Sequence, residues 1–538
     1  MSNPSAFEQL MLEYLNQARM DPQGEFDRFI TGTSPTQTIE TKITQALNYF
    51  GVDLDLYQQQ IAGLQAVAPL AWNGALGDAA TAHSELMVAQ DAQSHQLAGE
   101  ASLGSRISAS GYTGWNRLAE NIYAYSESPA YAHAGFFIDW GYGPGGIQSP
   151  AGHRNNIMNA DLTEVGIGVV EDHSSSTQVG PYVVTQDFGN RGSYKAQLVG
   201  VSYDDNDGDD FYSMGEGKGG IGVAVTPAAG GGASTVTQAA GGYSVEATAG
   251  LNELIFSGGG LANSVSVQVA FATKNVKVDL VDGDTILSSA DITLGSGAVD
   301  LRLLGQFSTD GTGNDLDNHM IGNVGDNRLF GMRGRDTLLG GDGDDTLNGS
   351  GGKDSLYGEA GNDTVYGGAG SDQIFGANGN DLVKAGQGKD TVDGGAGQDT
   401  IFGNRHNDTL HGGDGGDDLR GGNDDDVLFG DAGSDRLSGQ SGDDLLIGGT
   451  GNDTLLGGGG DDIFRFDFGF GDDVIEDFHA GADDIDILDF SALGISYSSL
   501  SVVAQGADTL ITTTAGDSLL LLDVTPGELV VADDFLFA

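Results

Sequence analysis

Aspartate recurs at every ninth position over a long central stretch of the chain. A chain that coils regularly brings such carboxylates together, and a column of negative charges repels itself. A hard divalent cation removes this repulsion, and calcium prefers carboxylate and backbone-carbonyl oxygens as ligands. The spacing therefore predicts an array of calcium ligands, made up of Asp336, Asp345, Asp354, Asp363, Asp372, Asp381, Asp390, Asp399, Asp408, Asp417, Asp426, Asp435, Asp444, Asp453 and Asp462.

An apolar residue follows each of these aspartates at the second position. Residues 314–466 divide into 17 consecutive nonapeptides without an insertion, and the first two have Asn318 and Asn327 in place of the acid. A short strand that buries one apolar residue is unstable alone, whereas stacked copies bury a continuous ladder. Glycine supplies the tight turns between the strands. The pattern predicts parallel coils stacked about 4.8 Å apart and argues against a disordered glycine-rich linker.

This repeat resembles that of the RTX (repeats-in-toxin) family, whose consensus is G-G-x-G-x-D-x-U-x. The resemblance covers 153 residues and implies a parallel β-roll that binds several calcium ions. His406 and Asp424 replace the glycine two residues before the aspartate, and Ala385 replaces a glycine after it. We expect the calcium sites near those frames to be weaker or missing.

Histidines and acids in the N-terminal part form a second group of residues that could do chemistry. They lie in LAWNGALGDAATAHSELMVAQDAQSHQ (70–96), SLGSRISASGYTGWNRLAENIYAY (102–125) and AGHRNNIMNADLTEVGIGVV (151–170). Apolar spacing predicts a helix in the first segment, and Glu164 leads into a predicted strand in the third.

In this order, the segments resemble the cysteine-rich secretory, antigen-five and pathogenesis-related superfamily (CAP, also called SCP-like) in its bacterial branch. The resemblance covers about residues 5–190, with a helical insertion around 33–65. It implies an α-β-α sandwich with a cleft that is lined by two histidines and two acids. The residues that match are His95, Glu120 and His153, and the segment before the last offers only Asp139 as the fourth. Glu164 is an alternative acid, to which the resemblance assigns no role.

Two imidazoles and two carboxylates can bind Zn²⁺ or another divalent ion, transfer protons, or simply form a buried network that holds the fold. The chain has no G-x-S-x-G motif, no H-E-x-x-H motif and no cysteine, so catalysis has no established nucleophile. Ser94 beside His95 is the hydroxyl that the motif itself places there. We assign no catalytic residue, and we expect His83 and His133 to be structural or surface residues.

A third acidic group lies in YDDNDGDDFYSMGEGKGG (203–220). Its acids occupy positions 1, 3, 5 and 12 of an EF-hand-type calcium loop, namely Asp205, Asp207, Asp209 and Glu216. Position 6 is Asp210 rather than glycine, and no helix pair clearly flanks the loop. A calcium site and a solvated acidic turn are both compatible with this pattern.

The elements that must position these groups divide the 538 residues into predicted domains. We expect a CAP-like domain over 1–195, a small β-sandwich-like module over 196–305, the β-roll over 306–466 and a β-rich cap over 467–538. The net charge of −56 argues against nucleic acid and anionic membranes as partners. The chain has no cysteine, which excludes disulfides. It has no run of 18 apolar residues, so we predict no membrane span.

The C-terminal segment resembles the cap and uncleaved secretion signal of RTX proteins that the type I apparatus exports. It begins FRFDFGFGDDVIEDFHAGADDIDILDF and ends ADDFLFA. No signal peptide is visible in MSNPSAFEQLMLEYLNQARMDP, which fits this route. We expect the array to stay unfolded at the low calcium of a cytosol and to fold at millimolar calcium outside the cell.

The leading hypothesis is a secreted calcium-binding protein whose CAP domain has a cleft for an unknown extracellular ligand or a metal. One alternative is a secreted, protease-like hydrolase that uses the cleft. The other is a calcium-stiffened adhesin or surface-associated structural protein.

Overall fold

The structure, a computed structural model, describes residues 2–174, 177–480 and 485–537. It contains two compact units, Met1–Ala298 with Arg302–Phe307 and Val299–Leu301 with Ser308–Ala538. Within the described ranges, no helix is both long and apolar enough to cross a membrane. Residues 481–484 and the last residue of the predicted cap lie outside the described residues.

The first part of the first unit combines helices with a small sheet. Its helices are α1 (Ala6–Met20), α2 (Glu25–Phe29), α3 (Thr41–Phe50), α4 (Leu54–Ala62), α5 (Gly74–Gln90), α6 (Leu103–Ala109), α7 (Pro129–Ile138) and α8 (Gly152–Ile157). Its strands are β1 (Ile30–Thr33), β2 (Thr36–Thr38), β3 (Ala71–Trp72), β4 (Trp115–Ser126), β5 (Glu164–Glu171) and β6 (Tyr182–Arg191). One sheet has the order β3–β5–β6–β4, in which β3 and β5 are parallel and the other neighbours antiparallel.

Helices cover both faces of this sheet because the residues of β5 alternate in size. Gly166 and Gly168 face α5, and a Cβ at these positions would lie 1.9 and 2.1 Å from the helix backbone. Val165 and Ile167 alternate with them and pack in a core cluster with residues of α1 and α7. The predicted α-β-α sandwich is confirmed.

Side-chain caps determine where two of these helices begin. Ser5 and Glu8 form a reciprocal capping box at the start of α1. Asn73 accepts hydrogen bonds from the first backbone N–H groups of α5. The segment 33–65, expected as a helical insertion, contains α3, α4 and part of the β1–β2 hairpin.

The rest of the first unit is rich in strands. They are β7 (Gln197–Tyr203), β8 (Ile221–Pro227), β9 (Ala233–Val236), β10 (Gly242–Glu246), β11 (Gly250–Gly258), β12 (Val265–Phe271), β13 (Val276–Val281), β14 (Thr285–Ser288) and β15 (Ile292–Leu294), and β16 (Asp300–Leu303) follows. One sheet joins β10, β7, β13 and β14, and the other joins β9, β8, β11, β12 and β15. The rings of Tyr243 and Phe256, from one sheet each, are 5.8 Å apart, as expected for a small β-sandwich.

Buried polar contacts join this β-rich part to the helical part of the same unit. Lys277 of β13 lies 2.8 Å from Glu13 of α1 and also pairs with Asp279, and all three residues are buried. Asn275 donates to the carbonyl of Pro69 at 2.9 Å. The two parts are therefore held together as one compact unit.

The second unit contains a coil of short parallel strands. They are β17 (Asp310–Thr312), β18 (His319–Ile321), β19 (Arg328–Phe330), β20 (Arg333–Gly334), β21 (Thr337–Asp342), β22 (Thr346–Gly352), β23 (Ser355–Ala360), β24 (Thr364–Ala369), β25 (Gln373–Asn378), β26 (Leu382–Gln387), β27 (Thr391–Gly397), β28 (Thr400–Arg405), β29 (Thr409–Gly415), β30 (Asp418–Asn423), β31 (Val427–Gly433), β32 (Arg436–Ser441), β33 (Leu445–Ile447), β34 (Thr450–Gly451), β35 (Thr454–Gly459) and β36 (Ile463–Arg465). Paired strands are 18 residues apart, as Gln373 and Thr391 show. One turn therefore holds two nonapeptides, and the predicted parallel β-roll is confirmed.

The apolar residue of each nonapeptide forms the core of the roll. Each of these side chains is 0% exposed, and together they are Met320, Leu329, Leu338, Leu347, Leu356, Val365, Ile374, Val383, Val392, Ile401, Leu410, Leu419, Leu428, Leu437, Leu446, Leu455 and Phe464. Full burial of one such side chain contributes about 1.5–3 kcal/mol. The roll thus has the apolar ladder that the repeat predicts.

The C-terminal segment continues the roll with further strands. They are β37 (Asp472–Ile475), β38 (Ile487–Asp489), β39 (Ser501–Gln505), β40 (Asp508–Thr512), β41 (Ser518–Leu521) and β42 (Phe535–Leu536). Strand β37 pairs in parallel with β35 and β41, and β38 pairs in parallel with β36 and β42. The predicted β-rich cap is confirmed.

Candidate calcium array and cleft

The fifteen predicted aspartates lie inside the roll, where 0–2% of each residue is exposed. Each Oδ1 accepts a hydrogen bond, 2.7–2.9 Å long, from the backbone N–H of the residue 18 positions earlier. Because one turn contains two nonapeptides, the aspartates form two columns rather than one. Asp336 begins the first column and Asp345 begins the second.

The other oxygen of each carboxylate, Oδ2, is buried and has no hydrogen-bond partner in the described part of the chain. It lies beside the residue five positions earlier, usually a glycine. A Cβ on Gly394, for example, would lie 2.6 Å from both Asp399 Oδ2 and the carbonyl oxygen of Gly412. Glycine therefore leaves a small space lined by carboxylate and carbonyl oxygens, which are the ligands that calcium prefers.

Burial also makes the charged form of these carboxyls unfavourable. It raises the pKa of Asp399 to about 7 and that of Asp408 to about 8, with neighbouring carboxylates adding to each shift. The hydrogen bond from the preceding turn opposes the shift in each case. A buried carboxylate of this kind needs a proton or a cation, so the residues present fit calcium.

Asn318 and Asn327 avoid this requirement at the start of the two columns. Asn318 Oδ1 accepts from the N–H of Asn314 at 2.8 Å, and its Nδ2 donates to the carbonyl of Val299 at 2.7 Å. Asn327 Nδ2 donates to the carbonyl of Thr309 at 2.8 Å. Both ends of each amide are thus bonded within the protein, and neither frame needs a cation.

The three departures from the consensus change the backbone or the space beside the ligands. His406 and Asp424 have φ of 70° and 74°, whereas Gly388 and Gly397 at the equivalent position have φ of 150°. Ala385 is fully buried and takes the place of the glycine that lies five residues before an aspartate in most frames. Weaker calcium sites near these frames stay a prediction.

The four predicted cleft residues form two histidine–carboxylate pairs. His95, in the loop after α5, has its Nδ1 2.8 Å from Glu120 Oε1 in β4. His153 of α8 has its Nδ1 2.9 Å from Asp139 Oδ1, at the C-terminal cap of α7. Asp139 Oδ2 also accepts from the backbone N–H of His153. The acids thus hold the histidines, and each Nε2 is the nitrogen left for a ligand.

Asn121 and Asn156, which the sequence did not single out, connect the two pairs. Asn121 Nδ2 donates to the carbonyl of His153 at 3.2 Å. Asn156 Nδ2 donates to the carbonyl of Glu120 at 3.2 Å and to Asn121 Oδ1 at 2.8 Å. Each asparagine lies one or three residues from a motif residue, which is the signal that could have identified it. These asparagine contacts therefore link the two histidine–carboxylate pairs through β4 and α8.

A buried charged cluster lies behind Glu120. Arg106 forms an ion pair with Glu120, and its Nη1 donates to the carbonyl of His95. Asp187 is directly opposite Glu120 on β6. Burial raises the pKa of Asp187 well above its ordinary value, and the charge of Glu120 adds to the shift. These residues come from distant segments, so sequence spacing could not associate them with the cleft.

The cleft is not a preassembled metal site in the described structure. Among the described residues, three donors from different His, Asp or Glu side chains lie within 4.8 Å of one another at Asp205, Asp207 and Asp209 only. Ser94 Oγ donates to the carbonyl of Gln96 at 2.9 Å. A metal in the cleft therefore stays a prediction, with His95, Glu120, His153 and Asp139 as the predicted cleft residues.

The two histidines expected to be structural or surface residues are buried. His83 Nδ1 lies 2.7 Å from Glu100, and His133 Nε2 lies 2.8 Å from Glu25. Burial lowers the pKa of His133 to about 3. Glu164, whose role the sequence left open, accepts from Tyr112 and pairs with Arg191.

The three aspartates of the EF-hand-type loop lie close together, but the carboxylate of its glutamate already accepts hydrogen bonds from the protein. Both oxygens of Glu216 accept backbone hydrogen bonds, from Asn206 at 2.9 Å and Ser213 at 2.7 Å. Strands β7 and β8, not helices, flank the loop. The aspartates Asp205, Asp207 and Asp209 stay the predicted ligands of this loop.

Two acids of the C-terminal segment continue the columns, although the repeat does not predict them. Asp473 Oδ1 accepts from Asp453 N–H at 2.9 Å, across 20 residues. Asp486 Oδ1 accepts from Asp462 N–H at 3.1 Å, across 24 residues. The longer connections break the nine-residue phase, which is why the sequence pattern ends at Asp462.

Family models match two parts of the chain. The model described as cysteine-rich secretory protein family, CAP, matches residues 12–188. The model described as RTX calcium-binding nonapeptide repeat (4 copies) matches overlapping windows between residues 312 and 475. No curated protein matches the chain.

Solved structures similar to this chain cover only part of it. An extracellular protein containing a SCP domain from Bacillus anthracis str. Ames is 23% identical, with a TM-score of 0.18, over 29% of this chain and 42% of that chain. Extracellular lipase LipA from Serratia marcescens is 18% identical, with a TM-score of 0.19, over 45% of this chain and 41% of that chain. The chain thus spans less than half the length of either structure.

Proposed function

The chain contains a CAP domain within residues 12–188 and RTX calcium-binding repeats within 312–475, and we propose on this basis that it is a secreted protein. In this proposal the type I apparatus exports the chain, and extracellular calcium then folds the roll. The exported cargo is the CAP domain, whose cleft binds a metal or an extracellular ligand.

The unpartnered Oδ2 atoms of the fifteen aspartates are the observation that supports this proposal most strongly. Without a cation, each turn buries carboxyl oxygens that have no partner and must either take up a proton or stay charged without a counter-charge, so the unfolded chain is favoured when calcium is scarce. Millimolar calcium stabilises the folded roll by binding to it alone. The difference in calcium between the two sides of the membrane would then keep the chain unfolded until it is outside.

A calcium titration of the full chain tests the first step. Circular dichroism should show a gain of strand as calcium rises to the millimolar range, whereas magnesium at the same concentration should have little effect because its small octahedral shell suits this space poorly. An unchanged spectrum up to millimolar calcium would refute the proposal.

Deletion of residues 467–538 tests the export step. Expressed with a type I apparatus, the full chain should accumulate in the medium and the truncated chain should stay in the cell. Pulse labelling separates export from degradation. Normal export of the truncated chain would show that the C-terminal segment is not the signal.

The cleft proposal depends on the two histidine–carboxylate pairs. Because Glu120 and Asp139 occupy the Nδ1 atoms, His95 and His153 present Nε2 to a ligand, as metal-binding histidines do. Zn²⁺ titration of the calcium-loaded chain by calorimetry should show one site that His95→Ala and His153→Ala each weaken. His173→Ala, at an exposed histidine, is the matched control. Equal binding by all variants would refute a zinc site in the cleft.

A further inference from the structure

The C-terminal segment joins the roll through strand β37. This strand pairs with β35 of the roll on one side and with β41 on the other. Asp472 aligns with Ser518 of β41 and accepts from its hydroxyl at 2.7 Å. The end of one aspartate column is therefore also the place where the final segment docks.

Asp473 has the same environment as the aspartates of the array. Only 2% of the residue is exposed, Oδ1 accepts from the N–H of Asp453, and Oδ2 is buried without a partner in the described residues. Burial raises its pKa to about 8, and the carboxylates of Asp453, Asp472 and Asp517 add to this shift. Asp473 therefore has one buried oxygen that no group of the described protein neutralises.

Asp486 ends the other column in a different way. Its Oδ1 accepts from Asp462 N–H, and its Oδ2 accepts from the backbone N–H of His479 at 2.7 Å. Both oxygens are bonded, so a cation is not required there. The two columns thus end in carboxylates that are similarly buried but differ in one hydrogen bond and in the His479 imidazole, whose Nδ1 lies 3.6 Å from Asp486 Oδ2.

We propose that Asp473 is a ligand of a further calcium ion at the junction of the roll and β41, whereas Asp486 closes its column without an ion. The inference rests on the proposed function, because it extends calcium binding beyond the unbroken nonapeptides of residues 314–466. Asp517 directly precedes β41, whose Ser518 pairs with Asp472, so the docked segment brings a second carboxylate to this junction. Calcium at this position would therefore hold β41 on the roll.

The test compares Asp473→Asn with Asp486→Asn in the full chain. Asparagine keeps an oxygen that can accept from the preceding turn, as Asp473 does from Asp453, so both variants should fold. Native mass spectrometry in millimolar calcium should show one ion fewer in Asp473→Asn and the wild-type number in Asp486→Asn. Hydrogen exchange of residues 518–521 should become faster in Asp473→Asn only.

A second variant keeps the test decisive if Asp473→Asn folds poorly. Asp517→Asn leaves the buried carboxylate in place and should weaken one calcium site without changing the fold. The wild-type number of ions in Asp473→Asn, or the loss of an ion in Asp486→Asn, would overturn the inference. A wild-type chain that binds no calcium would instead overturn the proposed function.

Discussion

Buried carboxylates are stabilised in opposite ways in the two units. In the first unit, Glu120 has an arginine and a histidine as partners, and Asp139 bonds to His153 through both oxygens. In the roll, each of the fifteen array aspartates has one bonded oxygen and one oxygen without a partner among the described residues. The difference teaches that burial alone does not indicate an ion site. In the roll an oxygen without a partner recurs in all fifteen array aspartates, whereas among the carboxylates near the cleft Asp187, opposite Glu120, has two such oxygens.

Removal of calcium should produce the largest difference in stability between the two units. A chelator is expected to remove hydrogen-exchange protection throughout residues 314–466, because every turn loses the counter-charge of its carboxylates. Strands β4, β5 and β6 should keep their protection, since partners within the protein satisfy the cleft acids. Exchange measured by mass spectrometry reports both units in one sample. A roll that stays protected in chelator would contradict the comparison.

A change in pH should have the next largest effect, which is on the stability of the roll. Burial raises the pKa of the array aspartates, to about 6 in Asp336, about 7 in Asp345 and about 8 in Asp408, above the value near 3.9 of unfolded aspartate. The calcium-free roll is therefore most stable at low pH and loses stability as the pH rises from about 4 to 8. Calcium displaces these protons, so its affinity should rise with pH, about tenfold per pH unit for each proton released.

Calcium titrations at pH 6 and pH 8, followed by circular dichroism, measure this dependence. The midpoint should lie at higher calcium at pH 6. A midpoint independent of pH would show that the carboxyls are already ionised in the calcium-free roll.

A single substitution within the array should have a smaller, local effect. Asp399→Ala removes the acceptor for the N–H of Asp381 and should destabilise the calcium-loaded roll by about 1–3 kcal/mol. Asp399→Asn keeps that acceptor and brings an amide that can donate to a carbonyl, as Asn318 and Asn327 do. The Asp399→Asn variant should bind one calcium ion fewer, and its stability should depend less on calcium. Denaturant unfolding with and without calcium distinguishes the variants, and equal losses in both would be the contrary result.

The smallest effect is expected in the cleft. Asp139→Asn keeps one acceptor for His153 but loses the other, which should cost about 0.5–1.5 kcal/mol. This loss should be the same with and without calcium, because the proposed calcium ions lie in the second unit. Thermal unfolding of the first unit measures it. A calcium-dependent loss would mean that the cleft is also an ion site.

The sequence predicts the roll in detail because its physics is periodic. Ligand, core residue and turn recur in phase, so one frame determines all the others. Prediction fails where the phase breaks, as at Asp473 and Asp486, because a longer connection restores the column in space but not in sequence.

The cleft is less predictable because its contacts join distant segments. Family motifs identify His95, Glu120 and His153, yet they do not show that each acid holds a histidine. The sequence around Arg106 and Asp187 contains no motif that identifies them as neighbours of the cleft. Their positions follow from the pairing of β4 with β6 and from the packing of α6, which spacing along the chain does not encode.

The register of 18 residues limits how such a chain can change its length. Duplication or loss of 18 residues adds or removes one whole turn and leaves every later strand in its own sheet. A change of nine would move each later strand to the opposite sheet, so β37 and β38 could no longer meet β35 and β36. Recombination in the gene is therefore expected to add or remove nonapeptides in pairs. Gain or loss of a single nonapeptide would be inherited only where a second change of nine residues returns the later strands to their own sheets.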